Sequence, residues 1–177
     1  MASAPGVAFL PLEVRTRQGR TLVVREYTIE DFGALVEMYE SFEPKRIAQG
    51  LPPPDVPRIA RWLDLLQHKS RSLLALDGRR VVGHALLCPI SDAAVEFTIF
   101  VHQDFRREGL GTELTRLMIA FARDWGFAEI FLTAELTNFA ALRLYRKTGF
   151  ETLSACGDEC EMRFRIADAP AVHKQAA

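Results

Sequence analysis

At 177 residues, the chain is long enough for one domain with one sizeable core. Its 22 Lys plus Arg against 23 Asp plus Glu leave a formal charge of −1, so no basic field invites a nucleic-acid partner. No apolar run reaches the ~20 residues that span a bilayer, the N-terminus lacks the basic start and apolar stretch of a secretory signal, and the 3 cysteines make no disulfide framework. A reduced, cytoplasmic protein with no membrane partner is the expectation.

Residues 1–18 are small, Pro-containing and mixed in character, and read as a loose lead-in. Thr21 to Tyr27 reads as a first strand. Thr28 with Asp31 is a capping-box variant, a hydroxyl residue followed at the third place by an acid. Phe32, Leu35, Val36 and Tyr39 then recur at helical spacing. From Ser41 to Pro57 the periodicity fails. Phe42, Glu43, Arg46 and the run Gly50-Leu-Pro-Pro-Pro54 describe a loop too aromatic and too Pro-rich to be only a spacer. A second helix is predicted from near Val56 to near His68, carrying Ile59, Trp62, Leu63 and Leu66.

Ser72–Leu76 and Arg80–Cys88 flank Asp77-Gly78, a strong hairpin signal. His84, within the second of these strands, reads as a partly buried structural residue, and Arg79-Arg80 as a solvated turn. The central strand begins at about Ala93. Val95, Phe97, Ile99 and Val101 are apolar on one face, while Ala94, Glu96, Thr98 and Phe100 put a carboxylate and a hydroxyl on the other. From Gly109 to Trp125 an apolar stripe of Leu110, Leu114, Leu117, Met118, Phe121 and Ala122 marks a long amphipathic helix, stopped by Gly126. Glu129–Ala134 is another strand. Thr137 or Asn138 caps a further helix that ends at Gly149, and Phe150–Leu153 with Cys160–Ile166 form a last antiparallel pair around Gly157-Asp158. The sum is an α/β domain over residues 19–166 with a mixed central sheet and helices on both faces, followed by a flexible tail over 167–177.

The junction of the central strand with the long helix carries the chemistry. Arg106, Arg107, Gly109 and Gly111 surround the helix start. Free N–H groups at a helix N-terminus point at an anion, the macrodipole favours it, and glycines let a ligand approach the backbone. Taken alone, the same segment also fits a glycine-started helix with solvated arginines.

Val101-His-Gln-Asp-Phe-Arg-Arg-Glu-Gly-Leu-Gly-Thr112 resembles the acyl-CoA-binding motif of the GNAT superfamily of N-acetyltransferases, Arg/Gln-x-x-Gly-x-Gly/Ala, met here by Arg106, Gly109 and Gly111. Asn138-Phe-Ala-Ala-Leu-Arg-Leu-Tyr-Arg-Lys-Thr-Gly-Phe150 resembles that family's Asn-x-x-Ala-x-x-Leu-Tyr-x-x-x-Gly-Phe segment. One departure is Gln103, where the family often has Pro. The resemblance implies a GNAT-like sheet, mostly antiparallel, and acetyl-CoA as co-substrate with no metal. It implies a direct transfer of the acetyl group to a primary amine of a small molecule or protein, by a monomer or homodimer. The backbone from Arg106 through Arg107, Glu108, Gly109, Leu110 and Gly111 to Thr112 would cradle the pyrophosphate, and Ile99, Phe100 and Val101 the pantetheine arm, with Asn138 as a further contact.

In the same resemblance Tyr145 is the general acid toward the CoA thiolate and Glu96 the general base toward the amine. Plainer readings stand beside these: Tyr145 as core, Asn138 as a helix cap, Glu96 as half of an ion pair. Glu43 and Arg46 are candidate acceptor contacts, from the composition of their loop. A non-catalytic acyl-CoA-binding regulatory module is the alternative function. Cys156 and Cys160 lack further ligands at metal spacing.

Overall fold

The alternating segments assemble into a single sheet of order β1-β2-β3-β4-β5-β6-β8-β7. The computed structural model describes residues 10–44 and 52–166. The strands are β1 (Leu12–Arg15), β2 (Thr21–Glu26), β3 (Arg71–Asp77), β4 (Arg80–Pro89), β5 (Ala94–Val101), β6 (Glu129–Glu135), β7 (Glu151–Cys156) and β8 (Glu159–Arg165). The helices are α1 (Phe32–Glu40), α2 (Val56–Gln67), α3 (Leu110–Asp124) and α4 (Phe139–Lys147). Among neighbouring strands only β5 and β6 run parallel, joined by α3, and every other pair is antiparallel.

The sheet starts earlier than the sequence suggests. Leu12–Arg15 lie within the expected loose lead-in, yet pair antiparallel with Thr21–Val24. This strand is short, alternates with charges and buries Val14 alone. That is how an edge strand avoids looking like one.

Two cores cover the two faces. α3 and α4 pack on one, where Leu114, Met118 and Ala122 meet Val24, Leu73, Ala85, Val95 and Phe97. α1 and α2 pack on the other, where Tyr39, Ile59 and Leu63 meet Leu74, Leu86 and Phe100. α3 comes so close that a Cβ on Gly83 of β4 would lie 3.0 Å from Leu114 and 3.2 Å from Ala75. On the other face an aromatic cluster joins both helices to the central strand. Tyr39 meets Trp62 at 5.1 Å and Phe100 at 5.3 Å, and Phe42 meets Phe100 at 5.8 Å between ring centroids. His84 is fully buried there, with Nδ1 2.7 Å from the Tyr39 hydroxyl. Burial pulls its pKa down to about 3, so the ring stays neutral.

The start of α1 shows the local sequence at work. Asp31 Oδ2 accepts from the Thr28 N–H at 2.9 Å and the Thr28 hydroxyl at 3.1 Å, closing the capping box. Arg25 of β2 donates to both Asp31 oxygens, at 2.7 and 2.6 Å. The guanidinium bonds, ahead of those from Thr28, hold the Asp31 pKa at about 2 against an ordinary 3.8. A depressed carboxylate stabilises the fold above its unfolded pKa and loses that contribution as the pH falls through the folded one. Asp31→Asn should therefore cost about 2 kcal/mol in urea unfolding at neutral pH. The gap between variant and wild type should close as the pH falls from about 4 to about 2. A gap independent of pH would contradict the assignment.

Candidate functional site

β5 pairs with β6 only from Ala94–Glu129 to Glu96–Phe131. Its antiparallel pairing with β4 runs on to Val101 opposite Gly83, and β6 stays paired with β8 out to Glu135. Beyond Glu96 and Phe131 the strands part and leave a gap in the sheet. The Glu129 N–H donates to the Ala93 carbonyl at 3.1 Å, and the His102 N–H to the Val82 carbonyl at 2.9 Å. With that phase, alternation along β5 turns the main-chain groups of odd-numbered residues toward β6 and of even-numbered ones toward β4. Ile99 and Val101 thus present backbone N–H groups to the gap. Phe100 does not, which corrects the expectation for it. Its backbone lies on the β4 side opposite His84, and its ring, 4% exposed, belongs to the aromatic cluster under α1.

The gap opens onto the start of α3. Arg107 and Gly109 both adopt left-handed backbone, at φ 64° and 95°. For a non-glycine such as Arg107 this stores roughly 1 kcal/mol of strain. Successive N–H groups in such a turn converge on one point, a geometry suited to an anion. The Gly109 carbonyl accepts from the Thr112 and Glu113 N–H groups at 3.0 and 3.2 Å. The N–H groups of Arg107, Glu108, Gly109, Leu110 and Gly111 have no hydrogen-bond partner among the described residues.

Arg106 and Thr112 therefore depart from their expected places in this cradle. The Thr112 N–H is taken by the helix, and the Arg106 N–H closes a short 3-10 turn onto the Gln103 carbonyl at 3.4 Å. The Arg106 side chain turns away as well, donating from Nε to the Val101 carbonyl at 2.9 Å and from its terminal nitrogen to the Glu43 carbonyl. The Glu108 carboxylate is folded inward, 1% exposed, with Arg20 at 3.7 Å. Its carbonyl accepts from the Arg17 N–H at 2.9 Å. The β1–β2 turn thus lies on the cradle, and a Cβ on Gly109 would sit 3.6 Å from Arg17 Nε. Arg17 had no motif to announce it. A Cβ on Gly111 would lie 3.8 Å from both Val101 and Leu144, so Gly111 keeps the floor of the passage clear.

Tyr145 and Glu96 flank the gap from opposite faces. The Tyr145 ring, 7% exposed, lies on the α4 side against Phe97 at 6.3 Å and Phe150 at 5.7 Å. Its hydroxyl has no partner among the described residues, and burial pushes its pKa up to about 12. Glu96 is the last residue of β5 in the ladder with β6. Its parity turns its exposed side chain to the α1 and α2 side, opposite Cys88 of β4. Asn138 caps α4, its Oδ1 accepting the Ala141 N–H at 3.2 Å; its NH2 has no partner among the described residues. Glu43 is exposed at the end of α1, its N–H donating to Gln103 Oε1 at 3.0 Å. Arg46 lies outside the described residues. Arg80 is not merely a solvated turn residue: it bonds Asp104 at 3.0 Å and contacts the buried His102. Among the described residues, no group of three or more His, Cys, Asp or Glu side chains is placed to hold a metal ion.

The profile of the acetyltransferase (GNAT) family matches residues 34–150, more than half of the chain. The chain belongs to the GNAT acetyltransferase family. N-acetyltransferase 8 of Homo sapiens is 32% identical over 78 residues, covering 41% of this chain and 34% of that protein. An uncharacterised N-acetyltransferase of Mycobacterium tuberculosis is 33% identical over 95 residues, covering 52% of this chain and 60% of its own length. This GNAT chain thus matches less than two thirds of either relative. In fold it is similar to the GNAT domain of S. lividans PAT, at TM-score 0.75 and 18% identity, covering 88% of this chain and 96% of that one. It is similar also to yncA of Salmonella typhimurium, a putative acetyltransferase solved with acetyl-CoA. That match has TM-score 0.70 and 20% identity, and covers 86% of this chain and 98% of the other.

All 3 tyrosines of this GNAT chain have raised pKa values, chiefly through burial. The tyrosinate absorbance should accordingly rise at higher pH in the folded protein than in urea, where the midpoint is near about 10. Titration of all three tyrosines at the urea midpoint in the native protein would contradict the buried Tyr145 hydroxyl.

Proposed function

We propose that this chain transfers the acetyl group of acetyl-CoA to a primary amine of a small molecule or protein. One observation carries the reading: the N–H groups that Ile99 and Val101 turn to the gap lead directly into the unpaired N–H groups of Arg107–Gly111. An extended amide-bearing arm adds to an open strand as a further strand would, and a pyrophosphate suits converging N–H groups at a helix start. These are the two chemically distinct parts of an acyl-CoA, in their order along the molecule. The open floor at Gly111 and the exposed Arg17 beside Gly109 fit the same ligand.

When bound, acetyl-CoA supplies an activated acetyl thioester. The N–H of Val101, or of Ile99 beside it, polarises the acyl carbonyl as a fixed donor. Glu96 takes a proton from the incoming ammonium, because only the neutral amine is nucleophilic. Tyr145, kept protonated far above neutral pH, gives its proton to the leaving sulfur from the other face of the gap. The acceptor enters over the loop of residues 40–57, where Glu43 and Arg46 are its contacts. Nothing in this scheme needs a metal. The protein works as a monomer or homodimer in a reducing cytoplasm, a setting consistent with its free cysteines. Among the described residues no helix is long and apolar enough to cross a membrane.

Tyr145→Phe and Glu96→Gln should each lower kcat by about 10²-fold, measured by thiol release across a panel of amines and peptides. Their acetyl-CoA Kd should stay within a few-fold of wild type. Wild type that binds acetyl-CoA yet acetylates nothing in that panel would favour a regulatory acyl-CoA-binding module instead. Gly111→Leu should abolish calorimetric binding of acetyl-CoA while leaving thermal stability nearly unchanged, since Leu is favoured over Gly inside a helix. Retained binding in that variant would contradict the placement of the ligand.

A further inference from the structure

The short turn between β5 and the anion cradle grips the start of the acceptor loop. Gln103 makes a bracket: its Nε2 donates to the Ser41 carbonyl at 2.7 Å, and its Oε1 accepts the Glu43 N–H at 3.0 Å. A side-chain amide here pairs with main chain as a neighbouring strand would, satisfying a donor and an acceptor in alternate residues. On either side of it, His102 Nε2 lies 3.2 Å from the Ser41 hydroxyl and Arg106 donates to the Glu43 carbonyl. The Arg106 guanidinium also covers the Phe42 ring at 5.0 Å, and Phe42 is itself buried in the aromatic cluster. Residues 41–43 are therefore held, nearly group by group, by residues 102–106. These run straight on into Arg107–Gly111.

We infer that Gln103 is a positioning residue that couples occupancy of the phosphate cradle to the order of residues 41–43. A proline at this position has no amide and makes neither bond. The inference rests on the proposed acetyl-CoA site. A ligand that fixes Arg107–Gly111 also restrains the turn before them, and the bracket passes that restraint to Ser41 and Glu43 without any contact between ligand and loop. Coupling of this kind is a linkage between local opening at one site and binding at the other.

The test is amide hydrogen exchange at Glu43 in the full chain, with and without saturating acetyl-CoA, alongside calorimetric titration. Gln103→Met keeps the shape of the side chain and removes its hydrogen bonds; Gln103→Ala is a second variant in case the first perturbs packing. In wild type, acetyl-CoA should slow Glu43 exchange by about tenfold. In both variants that slowing should vanish, and by reciprocity the acetyl-CoA Kd should weaken by no more than about the same tenfold. Slowing that persists in either folded variant overturns the role of Gln103, as does wild-type binding without slowing. Absence of any acetyl-CoA binding by wild type overturns the functional reading, and the coupling with it.

Discussion

The site depends on a ladder that stops. Once β5 and β6 part beyond Glu96 and Phe131, strand groups that would satisfy one another inside a sheet must find other partners or stay open. An unmet backbone donor in a dry setting costs roughly 1–3 kcal/mol, so a gap of this kind persists only if it is wet, filled or capped. The chain caps part of it itself: Arg106 Nε donates to the Val101 carbonyl. The N–H groups of Ile99 and Val101 are left for a ligand. The remaining architecture keeps the strands apart. β4 holds β5 along its other edge, β8 holds β6, and α3 packs beneath both sides on a core running from Val24 to Met162.

Opposite faces of this gap are chemically unlike. On one, α4 brings a buried phenol whose ring is locked by Phe97 and Phe150. On the other, Glu96 puts an exposed carboxylate opposite Cys88 of β4. The parity of a single strand creates the division, since Glu96 and Phe97 are adjacent and necessarily point apart. The proposed transfer uses that division, taking a proton on one side and giving one on the other, with no side chain serving both ends.

Much of this was legible in the residues. Strong periodicity announced α3 and the β3–β4 hairpin, and Thr28 with Asp31 announced the start of α1. What the sequence hid was long-range or weakly patterned. β1 buries one apolar residue between charges, so alternation had little to register. The parting of β5 from β6 is a relation between segments with α3 between them, and no local pattern encodes it. The even parity of Phe100 was visible beside Glu96 and Thr98. That its backbone edge belonged to β4 required knowing which neighbour lay on which side. Arg106 opened the run whose backbone the resemblance assigns to the pyrophosphate. Its carbonyl partners, Val101 and Glu43, come from β5 and from the end of α1, and only the folded chain brings them together.

The central claim is that the open edge of β5 and the turn into α3 hold one acyl-CoA. A two-dimensional amide NMR titration with acetyl-CoA tests it most directly. The account predicts large shifts at Ile99, Val101 and Arg107–Gly111, with much smaller ones at Thr98 and Phe100, whose amides face β4. Shifts without that alternation, or confined to residues away from the gap, would contradict it.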